Sequence, residues 1–552
     1  MKASLQGLLD KILHEYSRKK GFHLPESFQY DLAVTTDPSR GDFASNVAFK
    51  LSKLAGEKPN LIADEIVLLI EKNKPDAAII DRVQVAGAGF IKFYLKKNFL
   101  GQILIEVCKR NEKYGRSDFG KSRKVLLEYV SANPTGPLTI AHGRQAAVGD
   151  ALVRILRATG HSVSSEYYLN DAGRQMNLLG ESLLSRYYEV HQQSYPLPED
   201  GYQGAYLVDI AKKLSSQEKD RLLKEPREKA IEFCRRFAAD EILRDIQDDF
   251  VNVCVSFDRY FNESSLYQNG AVEQTLKELT GKGYLYEKDG ALWFQSTPLG
   301  DDKDRVVKKS SGEYTYLAPD MAYHKGKFER GFNWLINLWG PDHHGYIARL
   351  KAACKALGYA SEQVDIRIVQ LTTLYRQGQP VRMSTRAGEF VTLRELYEEV
   401  GVDATRFFFV ARKIESHLDF DLDLAKAKSQ DNPVYYLQYA HARIASLLKY
   451  ANRTISETAN LERLSSQEET DLIKMISEFP KILIQASQML EPYRVADYLR
   501  DLAACFHKFY TFHRVVTEDE ELTAARLLLA DAARVVLKNG LELLGISQPE
   551  AM

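Results

Sequence analysis

The chain opens on apolar positions spaced as on one face of a helix. A turn around Asp37, Pro38 and Gly41 follows, then helical spacing over 44–54 and again over 61–72. Alternation around 83–85 and 90–95, split by Gly87 and Gly89, predicts a pair of strands. Residues 1–115 therefore read as a small α+β unit.

From about Lys121 the pattern changes. Residues 125–130 form a continuous apolar run, as in a parallel strand buried on both faces. A loop punctuated by Pro and Gly spans 131–143, a helix 145–158 closes at Gly160, and a strand over 162–169 ends at Asn170 and Asp171. This is a βαβ unit, the start of a doubly wound parallel sheet. The charged, mostly helical stretch 181–297 reads as an insertion into that sheet, which resumes with strands at 314–318, 334–339 and 365–371. Beyond Pro433 the spacing is helical almost throughout, over 435–451, 468–488, 494–511 and 524–544, predicting a C-terminal bundle. The expected organisation is α/β and multidomain: 1–115, then 116–430 carrying the insertion, then 431–552.

Composition narrows the class. A chain of 552 residues exceeds what one core usually organises, and its 45% hydrophobic and 27% charged content is that of a soluble globular protein. No run approaches the ~18 apolar residues of a membrane helix, and the N-terminus lacks a signal-peptide core. The five cysteines, Cys108, Cys234, Cys254, Cys354 and Cys505, are scattered and form no Cys-x-x-Cys pair. Free thiols in a reducing, cytoplasmic setting are expected, without a zinc site. A net charge of −1 means that any nucleic-acid footprint is a local patch.

Four stretches carry candidate chemistry. Ser131-Ala132-Asn133-Pro134-Thr135-Gly136-Pro137 runs into Leu138-Thr139-Ile140-Ala141-His142-Gly143-Arg144 between the first strand and its helix. Ligands of open α/β sheets bind at the carboxyl ends of strands, and a helix N-terminus bearing His and Arg offers donors to a phosphate. A connecting loop with a capping histidine reads the same way. Arg382-Met383-Ser384-Thr385-Arg386-Ala387-Gly388-Glu389 is short, basic and hydroxyl-bearing, suited to a mobile clamp on a polyphosphate or to a solvated turn. Gly340-Pro341-Asp342-His343-His344 follows an apolar strand; adjacent residues rarely converge on one metal, so no metal site is expected there. Glu128 lies inside the apolar run, where a carboxylate needs a partner.

Taken in order, these strings resemble the class I aminoacyl-tRNA synthetases, and more narrowly the arginyl form, over essentially the whole chain. Ser131–Arg144 is similar to the family's HIGH signature; Thr139 stands in place of its first histidine and Ala141 in place of its glycine. Residues 382–389 resemble a degenerate KMSKS loop, with Arg382 and Thr385 replacing its lysines. Gly340, Asp342 and His343 match the Gly-x-Asp-His element that contacts the ATP ribose.

The resemblance implies a Rossmann-like catalytic domain that uses ATP, brought as its Mg²⁺ complex, and arginine and tRNA as partners. It implies catalytic roles for His142, Thr139, Met383, Ser384 and Arg386, the last replacing the missing lysine, with Lys308 and Lys309 as further candidates. ATP would meet Ala141, Gly143, Gly340, Asp342 and His343. Arginine would meet Glu128, Ser131, Asn133, Tyr316 and Asp320, the guanidinium lying on Glu128 and Asp320. Asn46 and Phe90 lie in segments similar to a tRNA-contacting N-terminal domain. Tyr435, Tyr439 and Arg443 share a helix face in a segment similar to the anticodon-binding domain. A monomer is expected, activating arginine only with tRNA bound. Two other readings are kept: a relative that binds tRNA without charging it, and an enzyme of this fold for another amino acid.

Overall fold

The computed structural model describes residues 2–25, 28–35, 41–73, 79–381 and 391–552. After the helix Lys2–Lys20, four antiparallel strands β1 (Leu32–Val34), β2 (Phe43–Ser45), β3 (Ile80–Ala86) and β4 (Phe90–Leu95) pair in the order β1-β2-β4-β3. Helices Val47–Ala55 and Pro59–Lys72 accompany them. The helix read over 44–54 thus starts three residues late. Phe43 and Ser45 point into the core from a strand too short to show a period, and the Ser45 hydroxyl donates to the Asp31 carbonyl at 2.8 Å. Asn46 then ends the strand: its side chain accepts the Asp31 N–H at 2.9 Å. Gly41 has φ +86°, and a Cβ there would sit 2.8 Å from the Phe93 carbonyl oxygen, so the crossing needs glycine.

The central sheet is parallel, built from β5 (Lys124–Glu128), β6 (Ser162–Leu169), β7 (Arg259–Asn262), β11 (Trp334–Trp339) and β12 (Val364–Ile368), in the order β12-β11-β5-β6-β7. Between β7 and β11 the chain makes a small antiparallel sheet of β8 (Leu285–Lys288), β9 (Ala291–Phe294) and β10 (Arg305–Lys308). Strands β13 (Thr372–Arg376), β14 (Gln379–Pro380) and β15 (Leu418–Asp421) form a third unit. Strand order reverses between β5 and β11, which is where such a sheet opens a ligand crevice.

Two expectations are corrected here. The stretch 181–297 is not all insertion, because β7 returns to the parent sheet. No strand forms over 314–318: Tyr314 makes only an isolated bridge with Lys308, and the chain then enters the helix Leu317–Glu329. Pro319 lies in the first turn of that helix, where its missing N–H costs nothing.

The C-terminal helices are Pro433–Ala451, Gln467–Met489, Tyr493–Phe512 and Glu520–Leu543. Each was legible to within a few residues. Three begin at side-chain caps, Asn432, Ser466 and Asp519, that periodicity does not register. The helix Lys97–Arg110 leads out of the first unit and lies against this bundle, where Gly101 abuts Leu461 and Asn539 donates to the Asn111 carbonyl at 2.8 Å. One large cluster of buried apolar residues runs from Leu5 through Leu127 and Leu152 to Leu541, and two smaller ones gather around Leu276, Phe294 and Tyr323 and around Leu126, Leu335 and Leu350.

Arg406 is the polar tie of this core. Its guanidinium is buried, pairs with Asp150, and donates to the carbonyls of Val253 at 2.6 Å and Leu544 at 3.0 Å. Gly545, at φ +68°, makes room: a Cβ there would overlap the guanidinium. Arg406→Met is expected to destabilise the protein by about 3–5 kcal/mol, because it strands the buried carbonyls and part of the Asp150 charge. Equilibrium denaturation measures this.

Candidate active site

A cleft of about 830 Å³ opens at the carboxyl ends of β5 and β11, a size suited to small ligands. Just beyond β5, Val130 and Ser131 take left-handed backbone at φ 67° and 45°. For a β-branched valine this is strained by about 1–3 kcal/mol, a cost that concentrates at functional sites. The bend aims Ser131 Oγ back at Glu128 (3.2 Å), and the same oxygen accepts the Tyr168 N–H at 3.1 Å. Asn133 follows, its amide donating to Gln175 Oε1 at 2.7 Å.

The helix Ile140–Ala158 points its N-terminus toward this cleft. His142 Nδ1 accepts the Thr139 N–H at 3.2 Å and lies 3.3 Å from the Thr139 hydroxyl. Burial lowers its pKa to about 4, Asp342 opposing only weakly. The ring is therefore neutral at pH 7, and with Nδ1 accepting, the proton sits on Nε2 as a donor. Thr139 is turned onto this ring rather than presented as an independent phosphate donor.

Ala141 and Gly143 do not line the cleft. Gly143 faces the opposite way, where a Cβ would meet Leu393 at 2.6 Å, so it is a packing glycine. Arg144 also points inward rather than at a ligand. It is fully buried and donates to the carbonyls of Gln370 (2.8 Å), Ser416 (2.9 Å) and Lys413 (3.0 Å). Burial lowers its pKa to about 10, which leaves it charged at neutral pH.

Met383, Ser384 and Arg386 lie outside the described residues. The flank of their loop is placed, however: Thr392 bridges to Thr139, and the Leu393 N–H donates to the Leu138 carbonyl at 2.8 Å. Thr392 and Leu393, which follow the second string in the sequence, are thus tied to the first string at Thr139 and Leu138. Lys308 and Lys309 do not line it; they sit over Tyr314 and against Glu313.

Gly340, Asp342 and His343 line the opposite lip, beyond the end of β11. His343 Nδ1 is 3.2 Å from Asp342 Oδ1, and both side chains are exposed. Among the described residues no group of three His, Cys, Asp or Glu could hold a metal ion.

The floor is acidic. Glu128 does not wait for a ligand, as its place in the apolar run implied, because Lys327 pairs with it. Lys327 lies fully buried and also donates to Asn337 Oδ1 at 3.2 Å, while Asn337 Nδ2 meets His324 Nε2 at 2.9 Å. Asp320 accepts the Tyr346 hydroxyl at 2.6 Å. Burial raises the Asp320 carboxyl to about 7; Tyr346 opposes this, and Glu128 and Glu263 push the same way. Glu263, just past β7, also lines the cleft, held by the Tyr267 hydroxyl at 3.1 Å, and burial raises its pKa. On this floor three carboxylates face one buried lysine, and of the arginines that line the cleft, Arg305 is paired with Asp301 and Asp302, so the floor is suited to a cationic ligand. Tyr316 stands at the mouth, 72% exposed. Glu263, Tyr346 and Lys327 were missed; the strand end at Asn262 would have exposed Glu263 had β7 been recognised.

Away from the cleft, Tyr435 and Tyr439 stack at 6.2 Å, and the Arg443 guanidinium lies between the rings of Tyr439 (4.9 Å) and Tyr510 (5.0 Å). Tyr439, Arg443, Tyr450, Tyr510 and Met552 line a cavity of about 350 Å³. In the first unit, Asn46 is engaged with Asp31, and Phe90 is half exposed beside Phe49.

Comparison with known proteins places this geometry. Residues 103–414 match the family model described as tRNA synthetases class I (R), catalytic domain, so the cleft is that of a class I synthetase fold. Residues 3–95 match the arginyl tRNA synthetase N terminal domain, and 437–552 the DALR anticodon binding domain. The arginine–tRNA ligase of Desulfosudis oleivorans is 46% identical over the whole of both chains, and arginine–tRNA ligase 1 of Halalkalibacterium halodurans is 46% identical over 94% of each. A structure described as a putative arginyl-tRNA synthetase from Campylobacter jejuni superposes with TM-score 0.78 at 36% identity, covering 83% of this chain and all of that one. The chain belongs to the arginyl-tRNA synthetase family.

Proposed function

We infer that the protein is an arginine–tRNA ligase, activating arginine with ATP and transferring it to the 3′-terminal adenosine of the arginine tRNA. The observation that carries this reading is the cleft itself. A cation-seeking floor of Glu128, Glu263 and Asp320 faces a helix N-terminus carrying a neutral, donating histidine. One end suits a guanidinium and the other a phosphate.

An oxygen of the arginine carboxylate attacks the α-phosphorus of ATP as the bond to pyrophosphate breaks. The tRNA 2′-hydroxyl then attacks the adenylate carbonyl, gives up its proton, and AMP leaves. Positioning and charge stabilisation do the catalytic work.

Asp320 and Glu263 would hold the guanidinium, with Glu128 and Ser131 fixing the pocket beneath it. Asn133 would take the α-amino group and Tyr316 would cover the mouth. His142 would donate to the phosphates, kept in its tautomer by Thr139; Gly340, Asp342 and His343 would take the ribose; Met383, Ser384 and Arg386 would close over pyrophosphate. Mg²⁺ would enter with ATP, ligated by the phosphates. Residues 1–115, through Asn46 and Phe90, and 431–552, through Tyr435, Tyr439 and Arg443, would hold tRNA around the catalytic unit 116–430 with its insertion. Stacking rings with an arginine between them suit unpaired bases. We place the enzyme in the cytoplasm as a monomer; among the described residues no helix is long and apolar enough to cross a membrane.

Arginine-dependent exchange of pyrophosphate into ATP, with and without tRNA, tests the reading. Exchange is expected with arginine and tRNA together. Tight tRNA binding without exchange under either condition would replace it with the non-charging relative.

A further inference from the structure

Anionic atoms gather at the reacting centre: the carboxylate of arginine and the α-phosphoryl group of ATP. Histidines apart, the described basic side chains lining the cleft are Arg305 and Arg349. Arg305 is already neutralised. It forks onto Asp301 at 2.9 and 3.0 Å and also pairs with Asp302.

Arg349 differs. It lies in the helix Ile347–Leu357, one turn beyond Tyr346. These two residues, three apart, face the cleft. The other side of the helix, with Ala348 and Lys351, lines a separate groove. The Arg349 guanidinium lies 4.8 Å from the Tyr346 ring centroid, and its Nε is buried with no hydrogen-bond partner. Arg144 also carries an open buried Nε, but its Nη atoms are spent on carbonyls; the Arg349 guanidinium has no such hydrogen bond or ion pair among the described residues, and a buried donor left open is costly. Tyr346 in turn donates to Asp320, so Arg349 lies beside the residue that fixes the acidic floor, in the same cleft as Gly340 and Asp342.

Resting on the ligase reading, we propose that Arg349 binds a substrate oxyanion at the reacting centre, the arginine carboxylate or the α-phosphoryl group that it attacks. Its planar fork suits either group, and the Tyr346 ring lies against the guanidinium. Sequence alone passed over it because it sits six residues past the recognised Gly-x-Asp-His element.

Arg349→Gln and Arg349→Lys, assayed as full-length enzyme with tRNA, test this. A loss of about tenfold to a hundredfold is expected for glutamine, partly regained by lysine, which keeps charge without the fork. Agmatine, arginine without its carboxylate, separates the sources. If Arg349 holds the carboxylate, KM for arginine rises while the inhibition constant of agmatine stays unchanged. If it holds the phosphoryl group, KM for ATP rises or kcat for exchange falls, and arginine and agmatine shift alike or not at all. Constants within about twofold of wild type in a folded variant would overturn the proposal. So would equal weakening of arginine and agmatine with ATP parameters unchanged, since Arg349 would then only prop Tyr346. Should the glutamine variant fail to fold, the lysine variant gives the same readings at smaller amplitude. Exchange by the wild-type enzyme tests the ligase reading separately.

Discussion

Asp320→Asn is expected to raise KM for arginine by about two to three orders of magnitude, with KM for ATP nearly unchanged, because removing one charge of a buried pair costs about 2–5 kcal/mol. The asparagine keeps the volume and one acceptor, so the loss isolates the charge. Burial raises that carboxyl to about 7, Glu128 and Glu263 push the same way, and the Tyr346 hydroxyl, which fixes it in place, opposes the shift.

A second signature follows from the sign of that shift. Burial raises the carboxyl to about 7, so near neutral pH a share of the empty enzyme holds it protonated and uncharged. As pH rises through 7 the charge that receives a guanidinium appears. kcat/KM for arginine should therefore climb with pH and level off above about 8, reporting free-enzyme groups. Asp320→Asn should flatten that limb. His142, neutral above about 4, adds no break there.

Stability runs the other way. A raised folded pKa gives stability that is complete below the unfolded value and lost as pH rises through the folded one. The empty protein should lose stability between about pH 4 and 7, and saturating arginine should raise Tm more at pH 8 than at pH 6. A kcat/KM profile unchanged in Asp320→Asn would remove this residue from the pocket.

Much of this was legible because periods of 3.6 and long apolar runs dominate the chain. The bundle helices, β5, the helix 140–158 from residue 145 onward and β11 declare themselves that way, whereas the first turn of that helix, with His142, reads as loop. What escaped was short or set by distant contacts. Strand β7 has four residues, half exposed or exposed, and pairs with β6 only after a long helical excursion. With it went Glu263.

The segment 314–318 carries the right residues for a strand, yet Pro319 and the bridge to Lys308 make it the entry of a helix. Site residues at strand ends and loop glycines could be listed from their strings, but orientation could not. Gly143 and Arg144 belong to the signature in sequence and face away from the cleft in space. Lys327, 199 positions from Glu128, leaves no local trace of their pairing.

That pairing makes Glu128 the hardest residue to assign, and substitutions can separate its two duties. Glu128→Leu alone leaves Lys327, fully buried, with Asn337 and the Tyr323 ring at 4.1 Å but no counter-charge. It should cost about 3–5 kcal/mol, a large part of the ~5–15 kcal/mol that holds a typical domain. Adding Lys327→Met removes the stranded charge. Apolar replacement of a buried ion pair is often neutral or stabilising, so the double variant should recover to within about 1–2 kcal/mol of wild type. Denaturant midpoints of wild type, both single variants and the double close this cycle and measure the coupling.

Exchange activity should not follow. If Glu128 contributes to the acidic floor, the stable double variant still lacks one of its three carboxylates and should bind arginine at least about tenfold more weakly. A double variant with both wild-type stability and wild-type KM would make Glu128 a structural partner of Lys327 alone and leave recognition to Asp320 and Glu263. A single variant as stable as wild type would mean that Lys327 sheds its proton when unpaired, as a desolvated lysine does when its counter-charge is lost.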